Sequence, residues 1–158
     1  MNEDKKRFMM EAIAMAEKNI SSGNGGPFGA VVVKDGNIIS SAGNRVTSSN
    51  DPTAHAEIVA IRQACEVLGT YDLTGCEIYA SCEPCPMCLG AIMWARINKL
   101  YYAADRIDAS KAGFDDELFY SEIALPPDKR MLKPVQLLKQ PANSVFEKWI
   151  ASADKIHY

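Results

Sequence analysis

Positive charge is scarce in this chain: 17 Lys and Arg stand against 20 Asp and Glu, for a net charge of −3. With an isoelectric point near 5.4, that balance argues against a partner held by its phosphate backbone. The short clusters Lys5-Lys6-Arg7 and Lys129-Arg130 read as solvated surface. No apolar run approaches the length of a membrane span. The five cysteines are an odd number and poor material for a disulfide framework, and Cys65 and Cys76 read as small buried residues. The opening Met-Asn-Glu-Asp-Lys-Lys-Arg leads into an amphipathic pattern and not a signal-peptide core, so the expectation is a cytoplasmic protein.

What is present suits one α/β domain over 1–158, since 158 residues suffice for a single core and show no repeats or linkers. Phe8, Met9, Ala12, Ile13, Met15 and Ala16 recur at helical spacing, and Ser21 to Gly26 ends that helix. Phe28 to Val33 and Ile38 to Ala42 are predicted strands around an Asp35-Gly36 hairpin turn. A helix capped by Asp51 or Thr53 carries His55 and stops at Gly69. A strand at Glu77 to Ser81, a helix through Ala95 and a strand at Lys99 to Ala103 follow. A weak last strand near Val135 to Leu138 and a helix over Asn143 to Ala153 close the order. Successive strand–helix–strand crossovers predict a three-layer α/β/α sandwich with a mixed sheet of about five strands.

The chemistry concentrates in Pro52-Thr53-Ala54-His55-Ala56-Glu57 and Cys82-Glu83-Pro84-Cys85-Pro86-Met87-Cys88. His55, Cys85 and Cys88 supply three ligands for a tetrahedral zinc ion, and Glu57 places a carboxylate beside the fourth, open position. One neutral imidazole and two thiolates give the metal cluster roughly zero net charge, so it acidifies water less than neutral ligands do, and a strong local base is needed. Glu57, two residues after His55 at a helix start, can take the water proton and later return protons as an acid. Pro84 breaks the preceding strand, and Cys85 and Cys88 fall three apart in a first helical turn whose positive end favours thiolates.

Other readings stand beside this one. Cys82 with the other three ligands can close a structural Cys3His site, although Ile78, Ala80 and Cys82 share one strand face that suits a buried apolar residue. A redox Cys-x-x-Cys leaves His55 and Glu57 without a purpose. Iron can occupy thiolate and imidazole sites of this kind. Around the motif, Phe28 can stack on a flat ring or be a core aromatic, and the Asn44 amide can pair with both donor and acceptor edges of a base or cap a loop. Gly113-Phe114-Asp115-Asp116 can accept from an N–H group or simply start a solvated helix. Met93 and Trp94 suit a core or an interface, and His157 suits solvent.

His-x-Glu followed by Pro-Cys-x-x-Cys is the established signature of zinc-dependent base deaminases. With it, Gly25-Gly26-Pro27-Phe28-Gly29-Ala30, Ser49 to Glu57, Ser81 to Cys88, Ala112 to Asp116 and the closing Tyr158 make the chain resemble the cytidine deaminase-like superfamily. Within it, the Gly-Phe-Asp-Asp segment and terminal tyrosine resemble the bacterial guanine deaminases. The resemblance implies hydrolysis of guanine to xanthine and ammonia, with one Zn2+ per subunit held by His55, Cys85 and Cys88. Zinc-bound hydroxide would attack purine C2 while Glu57 shuttles protons and Asp116 assists at the amino end. Phe28, Asn44, Ala56, Trp94, Asp116 and Tyr158 would form the substrate site. It also implies a homodimer exchanging residues 140–158, so that Tyr158 closes its neighbour's pocket. The competing functions are a tRNA adenosine deaminase, a cytosine or cytidine deaminase, and a non-enzymatic zinc-stabilised binding module.

Overall fold

In the computed structural model, which describes residues 2–158, the chain divides into two units, Met1–Asp116 and Glu117–Tyr158. The first opens with helix α1, Glu3–Ser22. Asn2 caps it by accepting from the Asp4 N–H at 3.0 Å, with Glu3 and Asp4 at its positive end, and Gly23 ends it at φ 68°. Phe8, Ala12, Ala16 and Asn19 are its buried residues, one line along the helix and polar at the last position.

Strands β1 (Gly29–Lys34) and β2 (Asn37–Gly43) form the expected hairpin. Asp35 and Gly36 both take positive φ, 49° and 76°, as the twist of a two-residue turn demands. A short helix α2 (Val46–Ser49) and helix α3 (Ala56–Leu68) follow, then β3 (Cys76–Cys82), α4 (Pro86–Trp94), β4 (Lys99–Ala104) and α5 (Arg106–Lys111). The sheet order is β2-β1-β3-β4, with β1 antiparallel to both neighbours and β3 parallel to β4.

Alternation along the central strands builds two cores. Val31, Val33 and Tyr79 pack with Phe8 and Ala12 of α1. Ala30, Val32 and Ile78 point the other way, to Ala56, Val59, Ala60 and Ala64 of α3 and Ile92 of α4. The result is the expected α/β/α layering, with β1 buried along nearly its whole length.

The second unit holds α6 (Glu117–Ala124), a 3-10 turn (Pro127–Lys129) and α7 (Lys139–Ala151). The predicted fifth strand at Val135 to Leu138 does not form, and the sheet has four strands. Leu138 adopts the left-handed conformation at φ 53°, which no ladder accepts, and the described residues of this unit include no strand to pair with it. Helix α7 starts at Lys139, earlier than the expected Asn143, with Pro141 tolerated in its first turn.

α1 crosses the start of β1 at backbone contact. A Cβ on Gly29 would collide with the Ala12 carbonyl and sit 2.7 Å from the Ala16 nitrogen. Gly29→Ala is therefore expected to destabilise the protein by about 2 kcal/mol through overpacking against rigid backbone. Urea unfolding of the two proteins measures this, and an unchanged midpoint would contradict so close an approach.

Candidate active site and metal centre

Two helix starts meet at the site. His55 is the N-cap of α3 and Cys85 the N-cap of α4, and neither side chain caps its own helix. The expected cap at Asp51 or Thr53 is not used: Asp51 Oδ1 accepts from the Thr53 N–H at 2.8 Å and the Thr53 hydroxyl at 2.6 Å, closing a turn ahead of the helix. Cys85 likewise stands at the N-cap, just before the first turn, with Pro86 opening α4 and Cys88 buried within it.

His55 Nδ1 lies 3.6 Å from Cys85 Sγ and 3.5 Å from Cys88 Sγ. These are the separations, roughly 3.5–3.8 Å, that ligand atoms take around a tetrahedral zinc ion of ordinary bond lengths. Among the described residues His55, Cys85 and Cys88 form the one group able to hold a metal. Cys82 is outside it; its thiol donates to the Asp105 carbonyl at 3.6 Å and burial pushes it up to about 11. The closed Cys3His reading therefore fails on geometry, and all five cysteines are free thiols.

The three donor groups are coupled through hydrogen bonds to one another. A hydrogen bond from Cys88, with a further contribution from His55, holds the Cys85 thiol down at about 4, while the same partnership drives the Cys88 thiol up. His55 is raised mainly by its hydrogen bond to Cys85. A divalent ion at the centre satisfies both thiolates and the imidazole lone pair at once, so the residues fit zinc.

Glu57 is buried, and desolvation raises its carboxyl above the usual range. It shares a hydrogen bond with Cys88, which places the carboxylate at the edge of the ligand cluster. Asp116 comes to the same place from the far end of the unit. Burial is the main cause of its raised carboxyl, and the Cys85 thiolate adds to it. Gly113, at φ 92°, turns the chain out of α5 toward it.

Phe28 and Asn44 are held in a frame of backbone hydrogen bonds. The Phe28 N–H donates to the Gly26 carbonyl at 2.8 Å, and the Asn44 N–H to the Phe28 carbonyl at 3.0 Å. Asn44 is buried, and its Oδ1 accepts from the Val46 N–H at 3.1 Å and the Gly26 N–H at 3.4 Å. That fixes the amide's orientation. Among the described residues its Nδ2 has no acceptor, and because no buried side-chain polar atom lacks a partner, Nδ2 is the accessible end. The sequence suggested an amide free at both edges; only the donor is free.

Phe28 packs on the α3 core and meets Phe114 edge to face, with ring centroids 4.9 Å apart. The sequence reading singled out the Gly113 to Asp116 segment but not the contact of Phe114 with Phe28, because helix α5 was not foreseen. Asn19 was missed as well, though its signal was present: extending the Phe8, Ala12, Ala16 line by three residues puts an amide on the buried face. Ala56 is fully buried, so what it can offer is its N–H at the first position of α3. Trp94, last in α4, is 70% exposed. Tyr158 lies in the second unit with its side chain exposed.

Residues 2–104 match the family model described as the cytidine and deoxycytidylate deaminase zinc-binding region. The chain belongs to this zinc-binding deaminase family. It is 52% identical over 151 residues to guanine deaminase of Bacillus subtilis, covering 96% of this chain and 97% of that one. The X-ray structure of guanine deaminase from Bacillus subtilis superposes with a TM-score of 0.95 at 51% identity, covering 100% of this chain and 99% of the other. A tRNA-specific adenosine deaminase of Agrobacterium fabrum is 55% identical, but over 78 residues, 49% of this chain and 51% of that one.

For a member of this deaminase family, Cys85→Ala is expected to remove one thiolate and drop zinc content well below one ion per chain while α1 and the sheet persist. Atomic absorption with circular dichroism on the same sample checks both; full zinc retention would rule Cys85 out as a ligand.

Proposed function

We propose that this protein is a zinc-dependent guanine deaminase, hydrolysing guanine to xanthine and ammonia. The observation that carries the reading is a buried carboxyl, Glu57, set against a three-ligand metal cluster with no fourth protein ligand among the described residues. The likeness to a guanine deaminase over the whole chain supports the substrate, while the likeness to the tRNA enzyme stops at about half of it. The net charge of −3 also disfavours a polyanionic substrate.

Zinc, one ion per subunit, supplies a Lewis acid that makes water a usable nucleophile near neutral pH. With zinc bound, Glu57 would take one proton from a water whose oxygen adds to C2 and pass it to the adjacent ring nitrogen, then take the second from the new C2 hydroxyl and pass it to the amine, so that the C2–N bond breaks and ammonia leaves. The raised affinity of the buried Glu57 for a proton suits a group that must both take and return one. Asp116 accepts from the substrate's amino end and assists proton transfer there. Asn44 donates through Nδ2 to an acceptor on the purine edge, Phe28 stacks beside it, the Ala56 N–H adds a backbone donor, and Trp94 adds an aromatic contact.

The same reading includes a cytoplasmic homodimer. Five free thiols fit a reducing compartment, and no described helix is long and apolar enough to cross a membrane. No residue of Glu117–Tyr158 is buried, and Phe119, Ile123, Val145, Phe146 and Ile150 are exposed. A segment without a core does not hold its helices alone. A second subunit supplies the missing surface by exchange of residues 140–158, and Tyr158 closes the neighbouring pocket.

Ammonia release from guanine, adenine, cytosine, cytidine, adenosine and an anticodon stem-loop, assayed side by side, tests the substrate. Release from guanine alone is expected, and release from the stem-loop alone would replace the reading with tRNA editing. In Glu57→Gln, zinc should stay bound while turnover falls at least ~100-fold, the lower scale for losing general acid–base help; near-normal turnover would remove Glu57 from the chemistry. Deleting Tyr158 should raise KM for guanine with zinc content unchanged, and unaltered kinetics would dismiss it as a lid.

A further inference from the structure

The catalytic reading leaves two buried polar side chains unused: Ser40, whose hydroxyl donates to the Ala60 carbonyl at 2.8 Å, and Asn19. Asn19 sits on α1 on the opposite face of the sheet from the zinc ligands' helices, and it is buried at 6% exposure. Its Nδ2 donates to the Gly26 carbonyl at 2.7 Å and to the Asn44 carbonyl at 2.8 Å. Both amide hydrogens are thereby spent, and they fix which way the amide points, since two carbonyls require the nitrogen end. The two acceptors belong to the segments that carry Phe28 and Asn44. Gly26 also receives the Phe28 N–H, and Phe28 in turn receives the Asn44 N–H, so Asn19 closes a ring of hydrogen bonds running through Gly26, Phe28 and Asn44.

The ring has no slack. A Cβ on Gly25 would collide with the Asn44 carbonyl and stand 2.7 Å from Asn44 Oδ1. A Cβ on Gly43 would stand 2.7 Å from Asn19 Oδ1 and 2.9 Å from its Cγ. The Asn19 amide therefore lies against the bare Cα of Gly43 on one side and grips the two loops on the other. Movement of this amide moves the Asn44 backbone directly.

We infer that Asn19 is the positioning residue of the purine-binding edge: it holds Phe28 and Asn44 in one geometry so that the ring face and the Nδ2 donor meet the substrate together. The inference rests on the reading of Asn44 as a substrate contact. Because Asn19 touches neither the metal ligands nor Glu57, its loss weakens binding of ground state and transition state alike, and the signature is a change in KM with little change in kcat.

The test is a double-mutant cycle on the zinc-loaded enzyme, with KM, kcat and zinc content measured for Asn44→Ala, Asn19→Ala and the double variant. Each single variant is expected to raise KM for guanine about tenfold with kcat within about threefold, and the double variant to be no worse than Asn44→Ala alone. Gly43→Ala presses on the same amide from the other side and should reproduce the KM effect with every hydrogen-bonding group still present; it carries the test if Asn19→Ala fails to fold. Normal KM in Asn44→Ala would overturn the reading of Asn44 and the inference with it. Raised KM in Asn44→Ala but normal KM in both Asn19→Ala and Gly43→Ala, or fully additive losses in the double variant, would overturn the inference and leave Asn44 in place.

Discussion

Three side chains from two helix starts must bring their donor atoms to within about one metal-ligand tetrahedron of each other, and much of the first unit is arranged to allow it. His55 and Cys85 both occupy N-cap positions, where Ser, Thr, Asp or Asn ordinarily satisfies a backbone N–H. Forgoing those caps costs about 1 kcal/mol per helix. The helices then need external anchoring. Ala56, Val59, Ala60 and Ala64 of α3 and Ile92 of α4 provide it by packing on one face of β1 and β3. Small residues dominate that contact, which lets both helix starts approach the ends of the strands closely.

Ligands and Glu57 come from helices on the α3 side, while Phe28 and Asn44 sit in loops tied down by α1 through Asn19. Glycine makes the second arrangement possible: Gly25, Gly29 and Gly43 each lie where a Cβ would strike backbone or the Asn19 amide.

Hydrophobic patterning read from one chain works only where the chain supplies its own partner surface. The strands, hairpin turn and helices of Met1–Asp116 agree with their periodicity because their apolar faces meet one another. Val135 to Leu138 looked like a strand for the same reason, three of its four residues being apolar. A strand requires an edge to pair with, and this stretch has none in its own unit. No apolar side chain of Glu117–Tyr158 is buried, so its periodicity has no core of its own to answer to.

The amino-acid sequence by itself determined the His55, Cys85 and Cys88 cluster, the carboxyl of Glu57 beside it and the order of the layered elements, because each is local: residue spacing, helix starts and alternation are all properties of short windows. It also contained the signature of the zinc-binding deaminase family. Tertiary structure alone decided that Cys82 turns away to the Asp105 carbonyl, that Asn44 presents only its donor end, that Phe114 meets Phe28, and that Asn19 binds the loops together. These are contacts between groups distant in the chain, whose distances and free valences exist only once the sheet has brought them to one side of the fold.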